Sequence, residues 1–142
     1  MRARFAYLSQ ALKGPAMTET TTEPTVYANT SALIAHEEPD FPAFLFSRKE
    51  LKRSVKVFRK GFGGLLTYAV KCNPSPHILK QLHEEGLKAF DVASNTEMEL
   101  VRDHCPGAVM HYNNPIKNKR EIQRAYEEFG VRSFTIDHPQ QL

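Results

Sequence analysis

The chain has 142 residues, of which 41% are hydrophobic and 25% charged, which is the composition of an ordinary globular domain. Its net charge of +3 comes from 19 basic and 16 acidic residues with no dense basic block, so nucleic acid is excluded as a favoured partner. No apolar run approaches the roughly 20 residues that a membrane span requires, so a membrane is excluded in the same way.

The cysteines and histidines form no pattern typical of metal binding or disulfide bonding. Cys72 and Cys105 stand alone without a CxxC spacing, and the six histidines include no HxH or HExxH. We therefore expect no metal ion and no disulfide framework. A reducing, cytoplasmic location fits this cysteine usage best.

The first 40 residues are predicted to be a flexible N-terminal lead-in, a disordered tail before the folded part. Residues 1–16 contain three basic residues and no acid, which resembles an organellar transit peptide, but an early start codon or a disordered tail explains them better. Residues 18–40 contain few large apolar side chains and scattered prolines. We place the start of the folded domain, 41–142, after this stretch.

From residue 41 onward the sequence repeats a unit of strand, helix cap, helix and glycine. The first predicted strand is 43–46, and the helix after it begins behind Ser47 and ends at Gly61. The next four predicted strands are 65–70, 89–93, 108–112 and 131–136. Their centres lie 22, 20 and 24 residues apart, which is the spacing of parallel strands joined by helices.

This pattern is shared by open doubly wound sheets and by (β/α)8 barrels. Gly61, Gly63 and Gly64 precede a strand, whereas a phosphate-binding turn needs its glycines between a strand and a helix. We therefore predict an α/β fold that is a partial (β/α)8 TIM barrel. It would contain about four of the eight βα units, since a whole barrel takes roughly 250 residues.

Lys71 is the first candidate for chemistry, because active sites of such barrels lie at the carboxyl ends of the strands. It ends the nearly uninterrupted apolar strand LLTYAV, so an amine sheltered in the barrel mouth is expected. A desolvated amine loses its proton more easily and then condenses with an aldehyde to form a Schiff base. The alternative is a strand-end lysine that extends into solvent.

Four strings of sequence resemble, in order and spacing, the fold-type III pyridoxal-phosphate-dependent decarboxylases. This is the family of ornithine, lysine, arginine and diaminopimelate decarboxylases. The strings are YAVKCN at 68–73, FDVAS at 90–94 with Glu97, YNNP at 112–115 with Lys117, and FTID at 134–137 with Leu142. The resemblance extends from about residue 41 to residue 142 and is stronger to the ornithine type than to the diaminopimelate type.

The resemblance implies pyridoxal phosphate as the cofactor and assigns a role to each site residue. Lys71 would be the catalytic residue that holds the cofactor covalently, and Ala69 would line the pocket beneath its ring. Asp91 would place Lys71 and balance its charge, unless it is only a turn residue at a strand end. Glu97 would approach the cofactor, but it is explained equally well as the third residue of a capping box that begins at Ser94.

Other polar residues near the predicted strand ends have structural interpretations. Lys117 precedes a helix and is expected to be solvated. Asp137 is expected to cap the following turn with Gln140 as its partner. His111 and Tyr112 cannot both face the barrel interior, because neighbours on a strand point to opposite sides, so one of them is expected only to pack.

For the full-length protein, the resemblance implies decarboxylation of a basic amino acid, ornithine or lysine, to a polyamine precursor. A small amino acid would be the substrate, and a homodimer is expected. The alternatives are a diaminopimelate or arginine decarboxylase, or a non-catalytic regulatory relative, whereas the DVAS and NP strings argue against an alanine racemase. The family's later strands and C-terminal domain are not among these residues, so this chain alone is expected to be inactive and to bind the cofactor poorly.

Overall fold

The protein is described by a computed structural model that covers residues 4–7, 25–40 and 42–141, without the side chains of residues 4–7 and 44. The chain divides into two compact units, residues 1–51 and 52–142. Most of the segment interpreted as a tail or transit peptide lies outside the described residues, as does Leu142. The domain boundary predicted after residue 40 stays a prediction.

The first unit contains an antiparallel sheet with strand order β2–β1–β3 and one helix. Its elements are β1 (Arg4–Tyr7), β2 (Val26–Tyr27), α1 (Thr30–Glu37) and β3 (Phe44–Phe46). Asn29 begins α1, because its side chain accepts a hydrogen bond from the amide of Ala32 at 2.9 Å. Leu33 of this helix is buried with Tyr27. Between residues 25 and 40 the lead-in therefore contains regular structure that the sequence prediction did not anticipate.

Strand β3 is present at the predicted place but has a different partner from the later strands. It pairs antiparallel with β1, so it does not begin the parallel series. Helix α2 (Arg48–Gly61) follows it, with the amide of Glu50 donating to the hydroxyl of Ser47 at 3.4 Å. The predicted cap and the predicted end of this helix are thus both present.

The second unit is a parallel sheet with strand order β4–β5–β6–β7, whose strands are connected by helices. The elements are β4 (Thr67–Ala69), α3 (Pro76–Glu84), β5 (Ala89–Val92), α4 (Asn95–His104), β6 (Val109–Tyr112), α5 (Lys119–Glu127) and β7 (Ser133–Phe134). Each strand pairs in parallel with the next strand along the chain. The predicted series of four parallel strands is confirmed, and the strands are shorter than predicted.

The ends of these helices follow the predicted caps. The amide of Glu97 donates to the Ser94 hydroxyl at 3.3 Å, which begins α4. Asn118 and Glu121 form a reciprocal capping box at the start of α5, with bonds of 2.9 and 3.0 Å. Gly86 follows α3 with a φ of 87°, a left-handed conformation that glycine adopts without steric cost.

The cap predicted at Ser75 has a different basis from the one expected. The Ser75 side chain makes no capping bond, although Pro76 occupies the first turn of α3 as predicted. Instead, the side-chain oxygen of Asn73 accepts a hydrogen bond from the Ser75 amide at 3.0 Å. An asparagine that bonds to the backbone two residues later stabilises a turn, so Asn73 supplies the entry to this helix.

The parallel sheet has two unlike faces, because successive side chains of a strand point to opposite sides. One face, called here the covered face, is made by Val70, Phe90, Val92, Met110 and Tyr112. Four of these are at most 1% exposed and Met110 is 8% exposed, and they are buried together with helix side chains such as Leu79, Met98 and Val101. The opposite side, called the open face, includes the half-buried or exposed residues Thr67, Ala69, Asp91, Val109, His111 and Ser133.

Among the described residues, no helix combines the length and the apolar character that crossing a bilayer would demand.

Candidate cofactor site at the strand ends

Lys71 lies directly after β4, in a single 3₁₀ turn formed by Val70–Cys72. The turn is closed by a hydrogen bond from the amide of Asn73 to the carbonyl of Val70 at 3.1 Å. Val70 is fully buried and anchors the turn, whereas Lys71 is exposed. The lysine is therefore at the carboxyl end of the sheet, as predicted, but it is not sheltered. Among the described residues the four parallel strands form an open sheet, which does not enclose the lysine.

Ala69 is the last residue of β4 and lies directly opposite Asp91 in the strand register. It is two residues before Lys71 and on the open face. Its methyl group is small and therefore takes up little room on this face. This placement is compatible with the ring pocket that the sequence implied.

Both carboxylate oxygens of Asp91 accept hydrogen bonds from neighbouring strands. The hydroxyl of Thr67, on β4, donates to Oδ2 at 2.9 Å. The side-chain amide of Asn113, just after β6, donates to Oδ1 at 2.8 Å. Asp91 therefore has a fixed position on the open face, where a turn residue would instead bond to its own backbone.

These bonds belong to a longer series, called here the polar chain, which consists of Thr67, Asp91, Asn113 and Thr135. Its last link runs from the hydroxyl of Thr135, just after β7, to Oδ1 of Asn113 at 2.8 Å. The polar chain joins residues that lie in, or just after, all four parallel strands, from the first residue of β4 to the residue that follows β7. Thr67 and Thr135 were not predicted as site residues, although both lie on the same side of the sheet as Asp91, which follows from the strand register once it is known.

Glu97 is engaged with the backbone at the start of α4. Its Oε2 accepts a hydrogen bond from the amide of Ala93 at 2.7 Å, and its own amide donates to Ser94. The side chain therefore reaches one residue further back than in an ordinary capping box. Capping accounts for its position in this structure, and an approach of Glu97 to the cofactor stays a prediction.

Lys117 is not solvated as expected, and that prediction is wrong. Its ammonium donates to the carbonyl of Asn114 at 2.9 Å and to the carbonyl of Thr135, and it lies 5.9 Å from the ring centre of Tyr112. Its aliphatic stem lets it reach back from the loop to the end of β7. Lys117 therefore ties the loop after β6 to the neighbouring strand.

Asp137 caps the turn after β7, but with a different partner from the one predicted. Its carboxylate accepts from the side-chain amide of Gln141 at 2.8 Å, and its backbone amide donates to the side-chain oxygen of Gln141 at 3.2 Å. The partner is thus Gln141 and not Gln140. A 3₁₀ turn at Pro139–Gln141 brings the fourth residue, and not the third, back to the cap.

The alternatives for His111 and Tyr112 are resolved by the direction of their side chains. Tyr112 is 1% exposed on the covered face, where burial and, to a lesser extent, the charges of Glu121 and Glu97 raise the pKa of its hydroxyl. His111 belongs to the open face, directly opposite Asp91 in the register. Its Nε2 is buried and has no hydrogen-bond partner among the described residues.

A parallel βα sheet with an amine and a carboxylate at adjacent strand ends is the class of site that the sequence led us to expect for a barrel that binds pyridoxal phosphate. Residues 48–142 match the family model for the pyridoxal-dependent decarboxylases, pyridoxal binding domain. The chain belongs to this family of amino-acid decarboxylases, and the predicted cofactor is confirmed at the level of the family.

Similar proteins include catalytic and regulatory relatives. The lysine/ornithine decarboxylase of Selenomonas ruminantium is 42% identical over 76 residues, which cover 53% of this chain and 19% of that protein. Antizyme inhibitor 2 of Xenopus laevis is 43% identical over 77 residues, or 53% of this chain and 16% of that protein. The crystal structure of SrLDC in complex with PLP and cadaverine has a TM-score of 0.58 and 34% identity, over 66% of this chain and 25% of that chain. The present chain thus spans a quarter or less of the length of these proteins.

The residues of the open face fit pyridoxal phosphate by their chemistry. Lys71 offers an exposed amine, which can condense with an aldehyde. Ala69 contributes only a methyl group to this face, and Asp91 supplies a negative charge that two donors hold in place. Nε2 of His111 is a further polar group on the same face, and it has no hydrogen-bond partner within the part of the chain that the structure describes. A buried polar group without a partner calls for an explanation, and a role in binding or catalysis is one.

Proposed function

We propose that this chain is the pyridoxal-phosphate-binding part of a decarboxylase that converts a basic amino acid, ornithine or lysine, to a polyamine precursor. The observation that carries the proposal is the placement of Lys71 at the end of β4, next to a strand on which Asp91 is held by two hydrogen bonds. Membership of the decarboxylase family supports the reaction, and the names of the relatives support the class of substrate.

Each site residue has a role in this proposal. Lys71 would hold the cofactor covalently through Nζ, and Ala69 would line the pocket beneath its ring. Asp91 would place Lys71 and balance the positive charge of its nitrogen. Glu97 acts through the turn at Ala93, which it caps. When bound, pyridoxal phosphate withdraws the electrons that are released as carbon dioxide leaves.

Reductive trapping tests the proposal directly. The chain is incubated with pyridoxal phosphate, reduced with borohydride and mapped by peptide mass spectrometry. We expect the label to be concentrated at Lys71, and we expect Lys71→Ala to lose most of it. Lys80→Arg, a change at an exposed lysine on α3, is the matched control and should leave the labelling of Lys71 unchanged. Label spread evenly over surface lysines, including Lys80 in the unmodified chain, would contradict a cofactor site at Lys71.

A second candidate function is a regulatory binding protein without catalytic activity, because one of the similar proteins is an antizyme inhibitor. Selective trapping at Lys71 favours the decarboxylase over this candidate, since a binding protein has no need of a selective amine. Within the enzymes, a diaminopimelate or arginine decarboxylase is the alternative. Adding ornithine, lysine, arginine or diaminopimelate to the full-length protein before reduction separates these cases, because the true substrate should displace Lys71 and lower the label there.

We further propose a cytoplasmic location and a homodimeric full-length protein. The location is supported by Cys72 and Cys105, which are both free thiols. Fractionation of cells that express the tagged protein tests the location, and sedimentation of the full-length protein tests the dimer. Recovery in a secreted fraction, or a monomer at micromolar concentration, would contradict these two proposals.

A further inference from the structure

The hydrogen bonds of the polar chain all point toward one residue. Thr135 donates to Asn113, Asn113 donates to Asp91, and Thr67 donates to Asp91 from the opposite strand. Asp91 is the end point of both arms and acts as an acceptor on each oxygen. This is the pattern of a carboxylate whose direction is determined by its neighbours.

The orientation of the Asn113 amide follows from this pattern. An amide donates only through its nitrogen and accepts only through its oxygen. If the amide were turned around, its oxygen would face a carboxylate oxygen of Asp91, and two acceptors would oppose each other. Asp91 alone fixes this orientation, because the hydroxyl of Thr135, which donates to the amide oxygen at 2.8 Å, could also accept; its bond holds the side chain of Asn113 in place.

Two donors on opposite sides restrict rotation of the Asp91 carboxylate. Each oxygen that accepts one hydrogen bond keeps one further acceptor position. These remaining positions therefore point in fixed directions from the open face, on which Ala69 lies directly opposite and Lys71 lies two residues beyond it. A group that forms a bond with the lysine would find the carboxylate already oriented, which lowers the cost of ordering it on binding.

We propose that Asn113 is a positioning residue that orients Asp91 toward the cofactor held at Lys71, with Thr135 holding the Asn113 side chain in place. The inference rests on the proposed function and adds a residue to its site. Asn113 does not act on the cofactor itself. Its effect passes through the 2.8 Å bond to Asp91.

The test uses four variants of the whole chain. Asn113→Asp keeps the shape of the side chain but replaces the donor with a second carboxylate. Thr135→Val removes the hydroxyl, and Thr135→Ser keeps it. Asn118→Asp is the matched control, because it makes the same chemical change at a helix cap where aspartate is also accepted.

Two quantities are measured for each variant: the ratio of trapped label at Lys71 to label at Lys80, and the induced circular dichroism of the bound cofactor per labelled chain. We expect Asn113→Asp to lower the ratio about tenfold, since a like charge opposes Asp91. Thr135→Val should lower this ratio about threefold, because Thr135 bonds to Asn113 and not to Asp91 itself. Thr135→Ser and Asn118→Asp should keep both quantities near those of the unmodified chain.

The possible results distinguish a failure of the proposed function from a failure of the role of Asn113. If the unmodified chain shows no preference for Lys71, the proposed function fails, and the inference fails with it. If the preference exists but is the same in Asn113→Asp, only the role of Asn113 is overturned. Should Asn113→Asp fail to fold, as judged by far-ultraviolet circular dichroism, the pair at Thr135 decides: a loss with valine and recovery with serine supports the inference, and equal behaviour overturns it.

Discussion

The covered face and the open face of the parallel sheet consist of alternate residues of the same short strands, yet most of their side chains differ in burial and polarity. Phe90 and Val92 are at most 1% exposed among helix side chains, whereas Asp91 between them is half-buried and bonded to polar neighbours. Burial of apolar area is the main favourable contribution to folding. The comparison indicates that the covered face provides stability, and that the open face is free to carry groups that a core would exclude.

The largest expected effect comes from truncating the covered face. Phe90→Ala removes a fully buried ring that also contacts Tyr68 edge to face, with 6.4 Å between ring centres. We expect a loss of about 3–5 kcal/mol in the free energy of unfolding, measured by urea denaturation. Val109→Ala is the control on the open face, where the side chain is 56% exposed, and should cost less than about 0.5 kcal/mol. Equal costs for the two variants would remove the distinction between the faces.

Alkaline pH is expected to have an intermediate effect on stability, because it ionises a thiol that is buried beside the helices. Cys105 is buried, donates to the carbonyl of Leu79 at 3.4 Å, and has its pKa raised by burial from 9.0 to about 11. In the unfolded chain the thiol loses its proton near the lower value, so the folded state binds more protons between these pH values. The contribution of this thiol to the free energy of unfolding is therefore fully present below pH 9 and is lost as the pH rises toward 11.

The contribution of this thiol is isolated by comparing unfolding at several pH values in Cys105→Ala and in Cys72→Ser. The alanine variant should show a shallower decline between pH 9 and pH 11 than the unmodified chain. The serine variant, at an exposed position, should keep the decline unchanged. An identical slope in all three proteins would mean that the buried thiol is not responsible.

The smallest expected effect concerns the hydrogen bonds of Lys117, which connect the loop after β6 to the residue that follows β7. Lys117→Met removes both hydrogen bonds of the ammonium while keeping the length of the side chain, and should cost about 1 kcal/mol. Hydrogen exchange at the Thr135 amide, which donates to the carbonyl of Tyr112 at 3.0 Å, should become faster. Lys119→Met, at an exposed position in the first turn of α5, should change neither quantity.

Much of the fold could be predicted because it depends on local patterns. Apolar strands at regular spacing and the caps at Ser94 and Asn118 are encoded within a few residues, and the structure contains them. The pairing of β3 could not be predicted in this way, because its partner β1 is distant in the sequence. Helix α1 was missed because its cap at Asn29 lies in a stretch with few large apolar residues.

The site was predicted less completely than the fold, because its residues meet only through the strand register. The positions of Lys71 and Asp91 at strand ends follow from the sequence, but the bond from Asn113 to Asp91 spans 22 residues and joins different strands. Lys117 was placed in solvent because nothing local indicates that the ends of two strands lie within its reach. Glu97 has two adequate explanations in the sequence, and only coordinates show which backbone amide it caps.

The backbone of Ala93 connects the position of Asp91 to that of its neighbouring elements. Its amide is held by Glu97 of α4, and its carbonyl accepts from the side chain of Asn114 at 3.0 Å. The turn that follows Asp91 is thus held by hydrogen bonds to two side chains and has little freedom to move. A shift of α4, or of the loop that bears Asn114, would therefore also move the carboxylate of Asp91. Substitutions far from Lys71 can change the geometry of the site in this way without contacting it.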